Sequence, residues 1–192
     1  MVPMSNLTWL GVPGSERAWK ALGFVVDAGA FAVGRVVCSV GGSGWGFDEI
    51  DSDPSVLGVQ TVTRHVADPG AHPCGVTAVD HIVYTVPNLD PAIDALTAVL
   101  GSGPRRRFHP RGPEGPEMAF YRVGEAFIEV VASGQEPALI GLALKTPDLD
   151  ATVAAIRRSG GPVSDPKPAV QGGRIASVWS GHLNWGLALM GT

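Results

Sequence analysis

The sequence has few cysteines, little charge and no long apolar run, and each shortage excludes a class of protein. Two cysteines, Cys38 and Cys74, do not make a disulfide framework in 192 residues, so a cytoplasmic location is expected. Asp27 and Arg35 interrupt the best apolar stretch, and no run approaches the roughly 18 residues of a membrane span. The first residues contain no basic segment followed by an apolar core, so we expect no signal peptide and no membrane partner.

Charged residues make up only 17% of the chain, and the net charge is −4. This balance argues against a nucleic-acid-binding surface, which needs an excess of positive charge. The chain also lacks a phosphate-binding glycine motif, a nucleophile elbow and paired-cysteine metal spacing. The hydrophobic residues, at 45%, are enough for a sizeable core.

A repeated motif organises the sequence. Residues 86–93 read VPNLDPAI, and residues 146–153 read TPDLDATV. Each copy follows a short apolar run and precedes a helix-like stretch that ends at glycine, at Gly101 and Gly160 respectively. Self-similarity at this spacing predicts one supersecondary unit that is used more than once.

The clearest unit spans residues 76–134. Apolar alternation over 81–86 predicts a strand, and the spacing of apolar residues over 91–100 predicts a helix that Asp90 caps. The segments 118–123 and 126–131 predict a hairpin. Residues 135–192 repeat this order, with a helix over 151–158 that Asp150 caps and two closing strands.

Residues 1–60 are interpreted as a third, degenerate copy, and residues 61–75 as a linker. In this copy Ser15 is the expected helix cap. Trp45-Gly46-Phe47 resembles Trp185-Gly186-Leu187 and is taken as the last strand of its unit. The predicted order in each unit is a strand, a helix and then two or three strands.

The segments VDHIV (79–83), VPNLD (86–90) and FIEVV (127–131) together identify a family resemblance. The unit resembles the βαβββ module of the vicinal oxygen chelate superfamily, which includes glyoxalase I, bleomycin-resistance proteins and extradiol dioxygenases. The resemblance implies an α+β fold in which repeated βαβββ modules form a curved mixed sheet around a cleft. It covers residues 76–192 well and residues 1–60 loosely.

The same resemblance implies metal ligands on the first and last strands of each module. His81 and Glu129 match two of these positions, while the aligned positions in the second module are Gly141 and Leu187, which cannot bind a metal. We therefore expect no cofactor, with a weakly held divalent metal at His81 and Glu129 as the alternative. Without a metal, Glu129 would orient the ring of His81, whose other nitrogen then serves as a general base or acid.

Strand alternation predicts the lining of the cleft. If His81 and Glu129 point inward, other residues of the two modules should face the same space. These predicted ligand-binding residues are Val83, Thr85, Phe127, Gly141, Trp185 and Leu187. They would form a mostly apolar wall around one polar pair, as is typical of a small-molecule pocket.

Three functions remain open on this sequence. The first is an enzyme that transfers a proton on a small oxygen-bearing molecule, with a lyase or isomerase type of reaction. The second is a non-catalytic protein that sequesters a drug-like molecule, and the third is an interaction protein whose site has decayed. A metal-dependent lyase or dioxygenase would require other residues to complete the metal site.

A homodimer is also predicted, with residues 1–60 in its interface. This segment contains five large apolar residues that need cover from water, namely Trp9, Trp19, Phe24, Phe31 and Trp45. A twofold contact would cover them with one self-complementary surface. The alternative is that residues 1–60 cap the cleft within one chain.

Overall fold

The structure is a computed structural model that describes residues 4–192, so the predicted first unit begins with three residues outside this range. The amino-terminal part contains strands β1 (Leu7–Val12), β2 (Ala30–Val33), β3 (Val36–Val40), β4 (Trp45–Phe47) and β5 (Thr61–Thr63), helix α1 (Glu16–Ala21) and a 3-10 helix (Pro54–Leu57). The remaining elements are β6 (Ala78–Val86), α2 (Leu89–Leu100), β7 (Arg106–Phe108), β8 (Met118–Val123), β9 (Ala126–Ala132), β10 (Ala138–Lys145), α3 (Leu149–Arg158), β11 (Lys167–Pro168), β12 (Arg174–Val178), α4 (Ser180–Leu183) and β13 (Gly186–Gly191). Within the described residues, no helix combines the length and the apolarity that crossing a membrane requires.

An eight-stranded mixed sheet contains both predicted modules, in the order β11-β12-β13-β10-β6-β9-β8-β7. Strand β6 pairs parallel with β9, and β10 pairs parallel with β13 in the same way. The two first strands, β6 and β10, meet antiparallel at the centre of the sheet. The α+β fold of repeated βαβββ modules is therefore confirmed.

The helices lie where the repeat predicts them, but their caps lie two residues earlier. Asn88 is the N-cap of α2, and Asp148 caps α3 by accepting a hydrogen bond from the backbone N–H of Ala151 at 2.9 Å. The prediction that Asp90 and Asp150 are the caps is wrong, because both belong to the first helical turn, where an acidic side chain stabilises the helix dipole.

A second, five-stranded sheet is formed by the amino-terminal part, in the order β2-β3-β1-β4-β5. From β2 to β5 its neighbours pair antiparallel, parallel, antiparallel and parallel. The strands β8-β9-β6-β10-β13 of the larger sheet show the same alternation. The amino-terminal part thus contains one shortened module and a remnant of a second one.

This pairing corrects the interpretation of Trp45-Gly46-Phe47. A last strand should run parallel to the first strand of its own module, whereas β4 runs antiparallel to β1. The last strand of the first module is therefore β3, which pairs parallel with β1. The predicted cap of its helix is confirmed, since Ser15 Oγ accepts from the backbone N–H of Ala18 at 3.2 Å.

The amino-terminal part packs on the helical side of the larger sheet. Tyr84 points to that side, where its ring centroid lies 5.0 Å from that of Trp45 and its hydroxyl donates to the carbonyl of Leu57 at 2.6 Å. On the same β6 strand, His81 faces the opposite side because side chains alternate along a strand. None of residues 4–60 lines the cavity beside His81, so the alternative that this unit caps the cleft does not fit the described part of the chain.

The apolar residues of the first unit are already covered within one chain. Each of the five aromatic residues that motivated a dimer is at most 8% exposed, and four of them belong to one core cluster with residues of α2 and α3. The homodimer stays a prediction, but the uncovered apolar surface that supported it does not exist in this fold.

The segment 61–75 is tied to the first unit and contains strand β5. His72 accepts from the backbone N–H of Val25 at 3.1 Å through Nδ1, and its Nε2 lies 2.7 Å from the carbonyl oxygen of Ala32. The backbone N–H of Cys74 donates to the carbonyl of Gly23 at 3.2 Å. These bonds hold the connection to the two-module sheet in a fixed path along the first unit.

Candidate functional site

The fold brings His81 and Glu129 together on the open face of the eight-stranded sheet. Val83 is the residue opposite Glu129 in the parallel pairing of β6 and β9, so His81 and Glu129 are diagonal neighbours. The distance from His81 Nε2 to Glu129 Oε2 is 3.4 Å, and the two side chains are 23% and 18% exposed. This nitrogen has no hydrogen-bond partner among the described residues, so it is available to a ligand in the adjoining cavity.

A third side chain, Asp80, completes the site and was not predicted. Its Oδ2 lies 2.7 Å from Nδ1 of His81, and its Oδ1 lies 3.6 Å from Nζ of Lys145. Regular alternation would place Asp80 and His81 on opposite faces. The pairing of β6 with β10 shifts at this point, with His81 opposite Ala143 and Val79 opposite Leu144, and the resulting bulge at Asp80 turns both side chains to the same face.

Asp80 rather than Glu129 therefore orients the imidazole. With its proton on Nδ1 and directed at Asp80, the ring presents the lone pair of Nε2 toward Glu129 and the open space. The sequence-based role of Glu129 as the orienting carboxylate does not fit these contacts. Glu129 instead faces the nitrogen that would react.

The pKa values of the two carboxyl groups are shifted in opposite directions. Burial alone would raise the pKa of Asp80, but the hydrogen bonds and charges of His81 and Lys145 outweigh it and lower that pKa. Burial, helped by the charge of Asp80, raises the pKa of Glu129 despite the opposing charges of His81 and Arg111. Of the two, Glu129 therefore accepts a proton more readily than Asp80, and neighbouring carboxyl groups with pKa values shifted apart are typical of general acid–base catalysis.

A cavity of about 230 Å³ opens beside these three side chains. Its lining combines polar groups with two aromatic rings and a thioether, and consists of Asp80, His81, Arg106, Phe120, Phe127, Glu129, Gln171, Gly172 and Met190. Among the predicted residues, the structure brings together His81, Glu129 and Phe127. The lining also includes residues of β7, β8 and the loop after β11, whose positions could not be predicted from the repeat.

Several other predicted lining residues lie outside this cavity. Thr85 is buried and hydrogen-bonded to the hydroxyl of Ser133, while Val83 and Gly141 lie directly opposite each other at the centre of the sheet. Trp185 donates from its ring N–H to the carbonyl of Leu139 at 3.0 Å and lines a groove between the first unit and β10. These residues shape the sheet but are not part of the lining of the cavity beside His81.

Leu187 was predicted both as a lining residue and as the counterpart of Glu129, and the register shows that it is neither. In the first module Val83 lies opposite Glu129. The counterpart of Val83 in the second module is Ala143, which lies opposite Ala188. The counterpart of Glu129 is therefore Ala188, one residue further along. Leu187 points to the helical side and belongs to the core.

The side chains at this site do not fit a resident divalent metal. The counterparts of His81 and Glu129 are Gly141 and Ala188, which offer no side-chain ligand. The two ring nitrogens of His81 lie against different carboxylates, and no group of three metal-binding side chains occurs among residues 4–192. Catalytic zinc normally requires three protein ligands.

Comparisons with known proteins agree with this architecture. A family model described as the glyoxalase/bleomycin resistance protein/dioxygenase superfamily matches residues 80–177. The crystal structure of methylmalonyl-CoA epimerase from Mycobacterium tuberculosis is similar, with a TM-score of 0.52 and 22% sequence identity over 61% of this chain and 89% of that one. A variant of the Streptomyces coelicolor methylmalonyl-CoA epimerase, in complex with 2-nitronate-propionyl-CoA, gives a TM-score of 0.51 and 19% identity over 61% and 95% of the two chains.

At these identities the solved structures establish the fold alone. No curated protein matches the sequence. The family match begins at Asp80 and lies within the two-module sheet, so the amino-terminal part with its five-stranded sheet lies outside the matched range.

Proposed function

Since the chain belongs to the glyoxalase/bleomycin resistance protein/dioxygenase superfamily, we propose that it binds a small, partly apolar, oxygen-bearing molecule and transfers a proton on it without a metal. The ligand would lie on the open face of the eight-stranded sheet, in the cavity beside His81. His81 contacts two carboxyl groups whose pKa values are shifted in opposite directions, and this observation supports the proposal most directly.

In this proposal His81 is the base. Asp80 holds the proton of Nδ1, and Nε2 removes a proton from an acidic C–H or O–H group of the ligand. The carboxylate of Asp80, 2.7 Å from Nδ1, stabilises the charge of the imidazolium that forms. Glu129, with its raised pKa, returns a proton to a neighbouring atom of the ligand.

The cavity supports a small ligand with an apolar part. Phe120 and Phe127 contribute aromatic surface on one side, and Met190 contributes an adaptable thioether. This lining also favours a second candidate function, in which the protein sequesters an apolar molecule without changing it. The two functions differ in whether a bound molecule exchanges a proton.

Hydrogen–deuterium exchange tests the proposal. The purified protein is incubated in D₂O with 2-oxobutyrate and with the neutral 2-oxobutanamide, and deuterium incorporation next to the ketone is followed by proton NMR. We expect exchange above the protein-free rate, lost in His81→Gln and kept in His109→Gln. His109 is a suitable control because it bonds the backbone of Gly115 and does not line the cavity.

Exchange that is equally fast in His81→Gln and in the wild type would show that His81 is not the base. Binding without exchange, seen as shifted protein resonances and an unlabelled ligand, would favour sequestration over catalysis.

A further inference from the structure

Three consecutive arginines, Arg105 to Arg107, form a concentrated positive charge at the start of β7. Their environments differ. Arg107 forms ion pairs with two carboxylates, with Nη1 at 2.6 Å from Asp90 and Nε at 2.8 Å from Glu117. Arg105 points away from the cavity, and its Nη2 lies 3.1 Å from the sulfur of Met4.

Arg106 alone of the three lines the cavity beside His81. It lies opposite Phe120 across β7 and β8, and Phe120 lies opposite Glu129 across β8 and β9. The three residues thus form one row across the sheet, with Arg106 two strands, or about 10 Å, from Glu129. An arginine side chain that leans along this row reaches the space over the site.

Two aromatic rings hold the guanidinium in position. Its central carbon lies 5.2 Å from the ring centroid of Phe108 and 5.7 Å from that of Phe120. The two rings are themselves stacked, with centroids 5.3 Å apart. Stacking on aromatic faces leaves the N–H groups at the edge of the guanidinium free to bind a planar anion.

The charge of Arg106 is not balanced by the protein. No ion pair or hydrogen bond joins its guanidinium to another side chain of residues 4–192, whereas Asp80 is shared by His81 and Lys145. An uncompensated cation at the edge of a partly apolar cavity can bind an anionic group of a ligand through charge-assisted hydrogen bonds.

We propose that the ligand of this site is a small carboxylate, and that Arg106 binds its carboxylate group. The inference rests on the proposed function in one respect only, namely that the ligand occupies the cavity beside His81. A carboxylate fits better than a bulkier anion because it is planar and pairs with the edge of a guanidinium through two parallel hydrogen bonds. Anchored there, the rest of the molecule extends along the row toward Glu129 and His81.

A pair of matched probes tests this inference. 2-Oxobutyrate carries the carboxylate, and 2-oxobutanamide has the same shape without the charge. Dissociation constants for both are measured by NMR titration, up to about 10 mM ligand, against the wild type, Arg106→Gln and Arg105→Gln. Arg105 is the matched control, because it precedes Arg106 directly and does not line the cavity.

We expect the wild type to bind the acid more tightly than the amide. Arg106→Gln should weaken acid binding about tenfold, since the contact is partly exposed to solvent, and should leave amide binding unchanged. Arg105→Gln should change neither. A wild type that binds acid and amide equally, or that binds no acid in this range, overturns the inference, as does an Arg106→Gln variant that retains full affinity for the acid.

The two proposals fail separately in these measurements. His81→Gln should keep its affinity for 2-oxobutyrate while losing proton exchange, because the base does not contact the carboxylate group. Loss of charge discrimination in Arg106→Gln therefore tests the ligand class, and loss of exchange in His81→Gln tests the chemistry.

Discussion

The hydroxyl group of Tyr84 connects the two sheets, and its removal should measure how strongly they are coupled. Tyr84 is 2% exposed, and its hydroxyl donates to the carbonyl of Leu57, which is also buried, at 2.6 Å. Tyr84→Phe removes this donor and leaves the carbonyl without its partner. We expect a loss of about 1–3 kcal/mol in the free energy of unfolding, the cost of an unsatisfied buried polar group.

Chemical denaturation in urea, followed by tryptophan fluorescence, measures this loss. Tyr121→Phe is the matched control, because its hydroxyl bonds Thr97 and the carbonyl of Ile93 within a single module. Both variants should be destabilised, but only Tyr84→Phe should reduce hydrogen-exchange protection in both sheets. A Tyr84→Phe variant within about 0.5 kcal/mol of the wild type would refute the coupling.

The same residue predicts a pH dependence. Burial raises the pKa of Tyr84 from 10.0 to about 12. The unfolded chain loses this proton near pH 10, whereas the folded chain keeps it to higher pH. The contribution of this group to the free energy of unfolding is therefore fully present below pH 10 and is lost as the pH rises from 10 toward 12. At about pH 11 the wild type should have lost about 1.4 kcal/mol that Tyr84→Phe does not lose. A constant difference between the two proteins across this range would contradict the burial of the phenol.

The carboxyl groups, one helix end and the metal content give further predictions. Asp80→Asn should lower the pKa of Glu129 because it removes a negative charge, and His81→Gln should raise that pKa because it removes a positive charge. An NMR titration of labelled glutamate that gives the same pKa in all three proteins would show that these contacts are absent. Gly101→Ala should cost about 1–2 kcal/mol in a urea melt because its φ is +67°, while Gly103→Ala, which faces open space, should cost less than about 0.5. Elemental analysis of protein purified without chelators should find no stoichiometric zinc, nickel, iron or manganese, and a retained metal would show that other residues complete a site.

Local patterns were sufficient to predict the modules. Strand alternation over 81–86, the apolar spacing of α2 and the left-handed glycine at its end act over a few residues, and the structure confirms them. The pair of His81 and Glu129 could also be predicted from the sequence, because the two residues lie on strands that the repeat places side by side.

Features that depend on pairing between distant strands could not be predicted from the sequence. The bulge that turns Asp80 toward His81 exists only in the register of β6 against β10. Assigning Leu187 instead of Ala188 as the counterpart of Glu129 was an error of one residue, which in a strand moves a side chain to the opposite face. The partial second module in the five-stranded sheet was missed because its strands are only three residues long.

The helical layer shared by the two sheets has a consequence for how the chain folds. Ser5 bonds the carbonyl of Leu100, and Nε2 of His182 lies 2.9 Å from the carbonyl oxygen of Ala18, across 164 residues of chain. The first unit precedes α4 in the chain, so its helix α1 acquires this partner only when a segment 164 residues away has folded against it. We therefore expect slow folding, in which the amino-terminal sheet completes its core only after the two-module sheet and its helices have formed.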